Sequence, residues 1–188
     1  MTRLGWLLLL VFLGSAVLLG LMIAAGGEME SAAPAPTLRP EPIGGQPLAI
    51  PVAGVRADQL EDTWGDARGG GSRAHNAIDI VAPRGTPVMA AAPGVVEKLF
   101  DSVNGGRTVY VRSLDRTRVY YYAHLDSYLP GLAEGRRVNA GDVIGAVGSS
   151  GSARDGVPHL HFEIKQMRAG ETWHQGREVN PYPLLGGR

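Results

Sequence analysis

Residues 95–123 read VVEKLF-DSVNGG-RTVYVR-SLDRT-RVYYYA. Three runs rich in Val, Tyr and Phe are divided by Asp, Asn, Gly and Ser, the pattern of short strands joined by tight turns. Asn104-Gly105 predicts a type I′ hairpin turn, which needs positive φ at both central residues. Leu114-Asp115-Arg116-Thr117 marks a second, weaker turn. The stretch therefore reads as an antiparallel meander over Val95–Phe100, Arg107–Arg112 and Arg118–Ala123. Further out, Thr86–Met89, Asp142–Val147 and His159–Ile164 have the same character, and no comparable window carries an apolar stripe of helical period. The expected fold class is mostly β. Gly85-Thr86-Pro87-Val88-Met89-Ala90 is echoed by Gly135-Arg136-Arg137-Val138-Asn139-Ala140, which suggests two similar hairpin modules facing each other.

The chain has 188 residues, 44% of them hydrophobic, enough for one compact domain with a sizeable core. Lys plus Arg and Asp plus Glu each total 18, so no basic field argues for nucleic acid as a partner. There is no cysteine, which excludes disulfides and thiolate metal sites and leaves His, Asp and Glu as metal donors. From Leu4 to Ala25 the chain has 22 residues without a charge, long enough to cross a hydrocarbon core of roughly 30 Å as one membrane helix. Arg3 precedes it, while Glu28 and Glu30 follow, so the positive-inside bias places everything after Gly26 outside the cytoplasm. A single-pass anchor is expected, with a cleaved signal peptide as the alternative. Residues 26–46, rich in Pro and Ala, read as a semi-extended linker, and residues 47–188 as the folded domain.

The five histidines are His75, His124, His159, His161 and His174. His75 and Asp79 are separated by an even number of residues, so on an extended chain both side chains leave one face. His159 and His161 flank Leu160, and the same alternation turns both imidazoles one way and Leu160 toward the core. A catalytic zinc takes three protein ligands and keeps one position for water. His75, Asp79 and one of the His159/His161 pair supply that count.

Five ordered segments, His75-Asn76-Ala77-Ile78-Asp79-Ile80, Gly85-Thr86-Pro87-Val88, Tyr122-Ala123-His124-Leu125, Gly141-Asp142-Val143-Ile144-Gly145 and His159-Leu160-His161-Phe162-Glu163-Ile164, resemble the motifs of the lysostaphin-type, or LytM-like, zinc metalloendopeptidases. The resemblance covers about Thr63 to Ile164. It implies a mostly antiparallel β core with an open groove, hydrolysis of peptide bonds in peptidoglycan, and one zinc ion held by His75, Asp79 and His161. It also places His124 and His159 beside the metal as catalytic residues. Two positions depart from the family pattern: Ala77, where glycine is common, and Arg107, where asparagine is usual.

Zinc lowers the pKa of a bound water toward about 7 and polarises a carbonyl. The chain has no His-Glu-x-x-His segment, so a histidine must take the proton from that water. His159 is expected to be this base and His124 to stabilise the oxyanion. Glu163 shares a strand face with His161 and reads either as a carboxylate that orients a metal ligand or as a solvated or core-rim carboxylate. His174 reads as a surface histidine and the Tyr120-Tyr121-Tyr122 run as sheet packing with one ring available to the groove. Two loops, Trp64–Ala74 and Gly148–Pro158, lead into the histidine segments and are expected to border the site. The expected substrate is the peptide part of peptidoglycan, and the expected location is the cell envelope outside the cytoplasm. An inactive module that binds or activates a partner hydrolase is the alternative, disfavoured because every ligand and catalytic position is filled. A phosphotransfer or carrier domain of similar hairpin architecture is a third reading, disfavoured because it needs an exposed lysine or a phosphate donor, whereas the echo has Arg and Asn and the export segment places the domain away from cytoplasmic donors.

Overall fold

The computed structural model describes residues 48–68 and 70–187. The expected membrane segment (4–25) and linker (26–46) lie outside them. Among the described residues no helix is long and apolar enough to cross a membrane.

The chain forms β1 (Ala67–Arg68), β2 (Arg73–Ala74), β3 (Ile78–Val81), β4 (Pro87–Met89), β5 (Gly94–Ser102), β6 (Gly106–Ser113), β7 (Arg118–Tyr128), β8 (Arg137–Val138), β9 (Val143–Val147), β10 (His159–Gln166) and β11 (Arg177–Val179). All pairings are antiparallel, and β1 with β2 makes a separate hairpin. The other nine strands form one sheet in the order β11-β10-β7-β6-β5-β8, with β3 paired to β10 and β9 paired to both β4 and β7. All six runs expected to be strands are strands. The strands not foreseen have two to four residues each, too short for alternation to show.

The meander β5-β6-β7 is present, but its first turn differs from expectation. Ser102 pairs with Gly106, so the loop holds three residues, and the positive φ falls on Gly106 at 59° rather than on Asn104 or Gly105. The reason is tertiary. The loop after β9 packs onto this hairpin, with the Arg107 amide donating to Ser150 Oγ at 2.9 Å and the Ser152 amide to Asn104 O at 2.9 Å. A Cβ on Gly106 would lie 2.2 Å from Ser150 Oγ, so only glycine permits that approach. The second turn is as expected: Arg116 has φ 62°, and Asp115 Oδ1 accepts the Thr117 amide at 3.0 Å.

The echoed segments occupy equivalent places. Gly85 and Gly135 have φ of 86° and 85°, and Val88 and Val138 are buried. β4 pairs with β9 while β8 pairs with β5, so each hairpin module lends its first strand to the second strand of the other.

The core fixes the register that builds the site. Along β10, Leu160, Phe162 and Ile164 are buried against Ile78, Ile80, Tyr120 and Tyr122, while His159, His161 and Glu163 face the other way. Each fully buried large apolar side chain contributes on the order of 1.5–3 kcal/mol, so a one-residue slip that exposed three of them and buried two histidines would be prohibitive.

Candidate metal centre

On the open face of the sheet β10 lies between β3 and β7, and His161 stands opposite Asp79 on one side and Ala123 on the other. His75 lies just before β3, where its amide donates to Asp66 O at 2.9 Å. These pairings bring three ligand atoms together. His75 Nε2 lies 3.0 Å from His161 Nδ1, His161 Nδ1 lies 3.1 Å from Asp79 Oδ1, and His75 Nε2 lies 3.1 Å from Asp79 Oδ1. Tetrahedral bonds of about 2.0–2.1 Å separate their donors by about 3.3 Å, so this nearly equilateral triangle of two nitrogens and one oxygen fits a zinc ion. Among the described residues this is the one group of three such side chains that could hold a metal.

A layer of partners holds each ligand in place. His75 Nδ1 is 2.8 Å from Thr63 O, a carbonyl that can only accept, so the proton sits on Nδ1 and Nε2 is free to ligate. Arg68 Nη2 also lies 3.2 Å from that Nδ1, and we read this as packing because the carbonyl claims the only proton. Arg68 donates instead to Asp79 Oδ2 at 2.6 Å, leaving Oδ1 turned toward the two histidines. Thr63 Oγ1 accepts the Asp79 amide at 3.0 Å. Glu163 Oε1 lies 3.0 Å from His161 Nε2, on the strand face that alternation suggested.

His124 and His159 stand beside the triangle without joining it. Their rings are 5.0 Å apart, and His124 is 5.5 Å from the His161 ring. His159 Nε2 lies 3.8 Å from Asp79 Oδ1, and its Nδ1 is tied to Val157 O at 2.8 Å. His124 has φ 61°, rare for a residue with a side chain, and occupies a shift of register between β6 and β7. Its Nδ1 is fixed by Ser150 O at 2.8 Å. His174 lies elsewhere, exposed against Trp173.

The ligands influence one another's protonation. Burial opposes the charge on Asp79, but hydrogen bonds from His161 and His75 outweigh it and hold the carboxyl well below the usual range. Burial likewise opposes an imidazolium at His161, yet Asp79 and Glu163 raise its pKa to about 9. Burial, followed by repulsion from His161, pushes His124 down to about 4, so it is neutral near pH 7.

The triangle lies in a groove of 820 Å³. Arg68, Arg73 and Ala74 border it from one expected loop, and Ser152, Ala153 and Gly156 from the other. Tyr121 lines the floor with its ring edge-on to His161 at 6.0 Å, while Tyr120 and Tyr122 are core residues. Ala77 is buried and is not among the residues with positive φ, so a side chain is accommodated there without strain. Arg107 stands away from the triangle, donating to Asp126 O and lying 5.8 Å over the Tyr128 ring in a neighbouring depression. Sequence reasoning missed Thr63 and Arg68, whose roles rest on contacts 11 to 16 residues distant along the chain.

Residues 73–181 match the profile of Peptidase family M23. The L-Ala–D-Glu endopeptidase of Bacillus subtilis is 38% identical over 138 residues, covering 70% of this chain and 41% of that protein. Peptidoglycan DD-endopeptidase ShyC of Vibrio cholerae is 42% identical over 92 residues, covering 49% of this chain and 20% of that protein. The catalytic domain of the antimicrobial peptidase lysostaphin from Staphylococcus simulans has the same fold, with a TM-score of 0.57 and 27% identity across 69% of this chain and 93% of that one. The chain spans less than half the length of these curated relatives.

Proposed function

The chain belongs to peptidase family M23, and from that premise we propose that it is a zinc metalloendopeptidase hydrolysing peptide bonds of bacterial peptidoglycan, with His75, Asp79 and His161 as the zinc ligands. The observation that carries this reading is the triangle of ligand atoms with edges of 3.0 to 3.1 Å, set in an open groove. Two curated relatives named for peptidoglycan-type bonds, L-Ala–D-Glu and DD, support the substrate class.

A bound zinc supplies a water acidic enough to ionise near neutral pH and a Lewis acid for the scissile carbonyl. The protein residues do the rest. His159 Nδ1 is held by Val157 O, so in the neutral imidazole the lone pair is on Nε2, which lies beside Asp79 and is placed to take a proton from the attacking water and give it to the leaving amine. His124 is neutral, with Nδ1–H committed to Ser150 O. A neutral imidazole so arranged has no N–H left for an oxyanion, so we move His124 from that expected role to accepting a hydrogen bond from the attacking water or substrate amide. Arg68, Thr63 and Glu163 keep the ligands in register.

The segment Leu4–Ala25 is proposed as a membrane anchor, residues 26–46 as its linker, and residues 47–188 as a peptidase domain in the cell envelope outside the cytoplasm. The inactive-module alternative loses ground because both the ligand triangle and the two flanking histidines are assembled. The test is to strip the purified full-length chain with a chelator and add zinc back in the presence of isolated peptidoglycan. Cleavage should vanish and return; cleavage that persists without metal refutes the proposal.

A further inference from the structure

The β1–β2 hairpin forms one wall of the groove, and its register sets Arg68 directly across from Arg73. Residues opposite each other on an antiparallel pair project from the same face, and like charges in that arrangement repel. Arg68 is neutralised by Asp79 at 2.6 Å. Arg73 is exposed, lines the same groove, and its side chain has no hydrogen-bonding or ion-pairing partner among the described residues. The two acids that line the groove, Asp79 and Glu163, are already engaged, the first by Arg68 and the ligand histidines, the second by His161 and Lys165. The groove therefore carries one uncompensated guanidinium, two residues before a metal ligand. A guanidinium offers a planar fork of donors that matches a carboxylate.

We infer that Arg73 is a specificity-determining residue that binds a free carboxylate of the substrate peptide beside the scissile bond, so that this peptidase selects acidic stem peptides over amidated ones. Arg68 is held by Asp79 and shapes the wall, while Arg73 supplies the charge. The hairpin loop helps to carry Arg73 into the groove: Gly70 and Gly71 have φ of 69° and 92°, and neither would meet another atom if it carried a side chain, so these glycines serve backbone shape alone.

This inference rests on the peptidase reading, and its test separates the two. The probes are isolated sacculi in native form and sacculi whose carboxylates have been converted to carboxamides with carbodiimide and ammonia. Full-length chain in detergent is assayed on both, for zinc-dependent release of new amino groups and, with zinc withheld, for co-sedimentation. The inference predicts that wild type cuts and binds native sacculi about tenfold better than amidated ones, the scale of one charge-assisted contact. Arg73→Gln brings that ratio to within about twofold of unity, Arg73→Lys restores part of it, and the exposed Arg136→Gln, outside the groove, leaves it as in wild type. Equal cleavage of both sacculi by wild type overturns the inference and leaves the peptidase reading standing. Carboxylate-selective, Arg73-dependent binding without cleavage supports Arg73 as the carboxylate-binding residue and overturns the peptidase reading. Absence of both selectivity and cleavage overturns both readings, and a preference in Arg73→Gln equal to that of wild type overturns the inference alone.

Discussion

Raising the pH from 7 to 9 should strengthen zinc binding about fiftyfold, through the proton on His161. In the metal-free protein burial works against the imidazolium, but hydrogen bonds to Asp79 and Glu163 prevail and lift its pKa to about 9. Its Nδ1 is one corner of the ligand triangle, so zinc must displace a proton there. Between pH 7 and 9 the group goes from almost fully protonated to half protonated, so the displacement becomes easier by about 1.7 pH units at about 1.4 kcal/mol each, or roughly 2.3 kcal/mol. Asp79 adds nothing to the slope, because burial is outweighed by hydrogen bonds from His161 and His75 and it stays ionised throughout. Stability of the metal-free protein moves the opposite way. A folded pKa above the unfolded value of about 6.5 gives a contribution that is complete below pH 6.5 and lost as the pH rises through 9. Competition against a chromophoric chelator across this range measures the affinity, and calorimetry in buffers of different ionisation enthalpy counts the released proton. A flat affinity with no proton released at pH 7 would refute the reasoning.

His161→Ala should purify with little zinc, Glu163→Gln should weaken zinc binding by about 10- to 100-fold, and His174→Ala should change neither metal content nor activity, all read by metal analysis. His159→Gln and His124→Asn should keep zinc yet lose about 10²- to 10⁴-fold in kcat; asparagine is chosen at His124 because it tolerates the φ of 61° better than alanine. Metal loss in the His159 variant would mean that His159 and His161 have been given each other's roles. Full-length protein should fractionate with membranes and resist extraction by salt, since 22 uncharged residues rather than surface charge hold it there. A soluble native protein beginning near residues 25–28 would show a cleaved signal peptide instead.

The strands that carry the site were legible in the sequence because their alternation is strong. His159-Leu160-His161-Phe162-Glu163-Ile164 has a buried residue at every second position, and that pattern sets which way the histidines face. The even spacing of His75 and Asp79 likewise pointed to shared ligation, although β3 begins only at Ile78 and the convergence of the pair depends on the fold around Thr63. What stayed hidden was long-range. The positive φ of His124 arises from a break in the β6–β7 register, and the three-residue loop at Asn104-Gly105 follows from packing against Ser150, neither of which leaves a local signal. The tautomer of His124, which decides what it can do, depends on a carbonyl 26 residues away. Arg68 could be recognised only once the β1–β2 hairpin placed it over Asp79.

The most direct measurement of the central claim is mass analysis of the products when zinc-loaded full-length protein digests isolated peptidoglycan. Hydrolysis by a water activated at the His75, Asp79 and His161 centre predicts fragments in which each broken bond has gained one water, with one new amino terminus per new carboxyl group and glycan strands intact. Release of glycan fragments without new amino termini, or the same products from the His161→Ala variant, would contradict it.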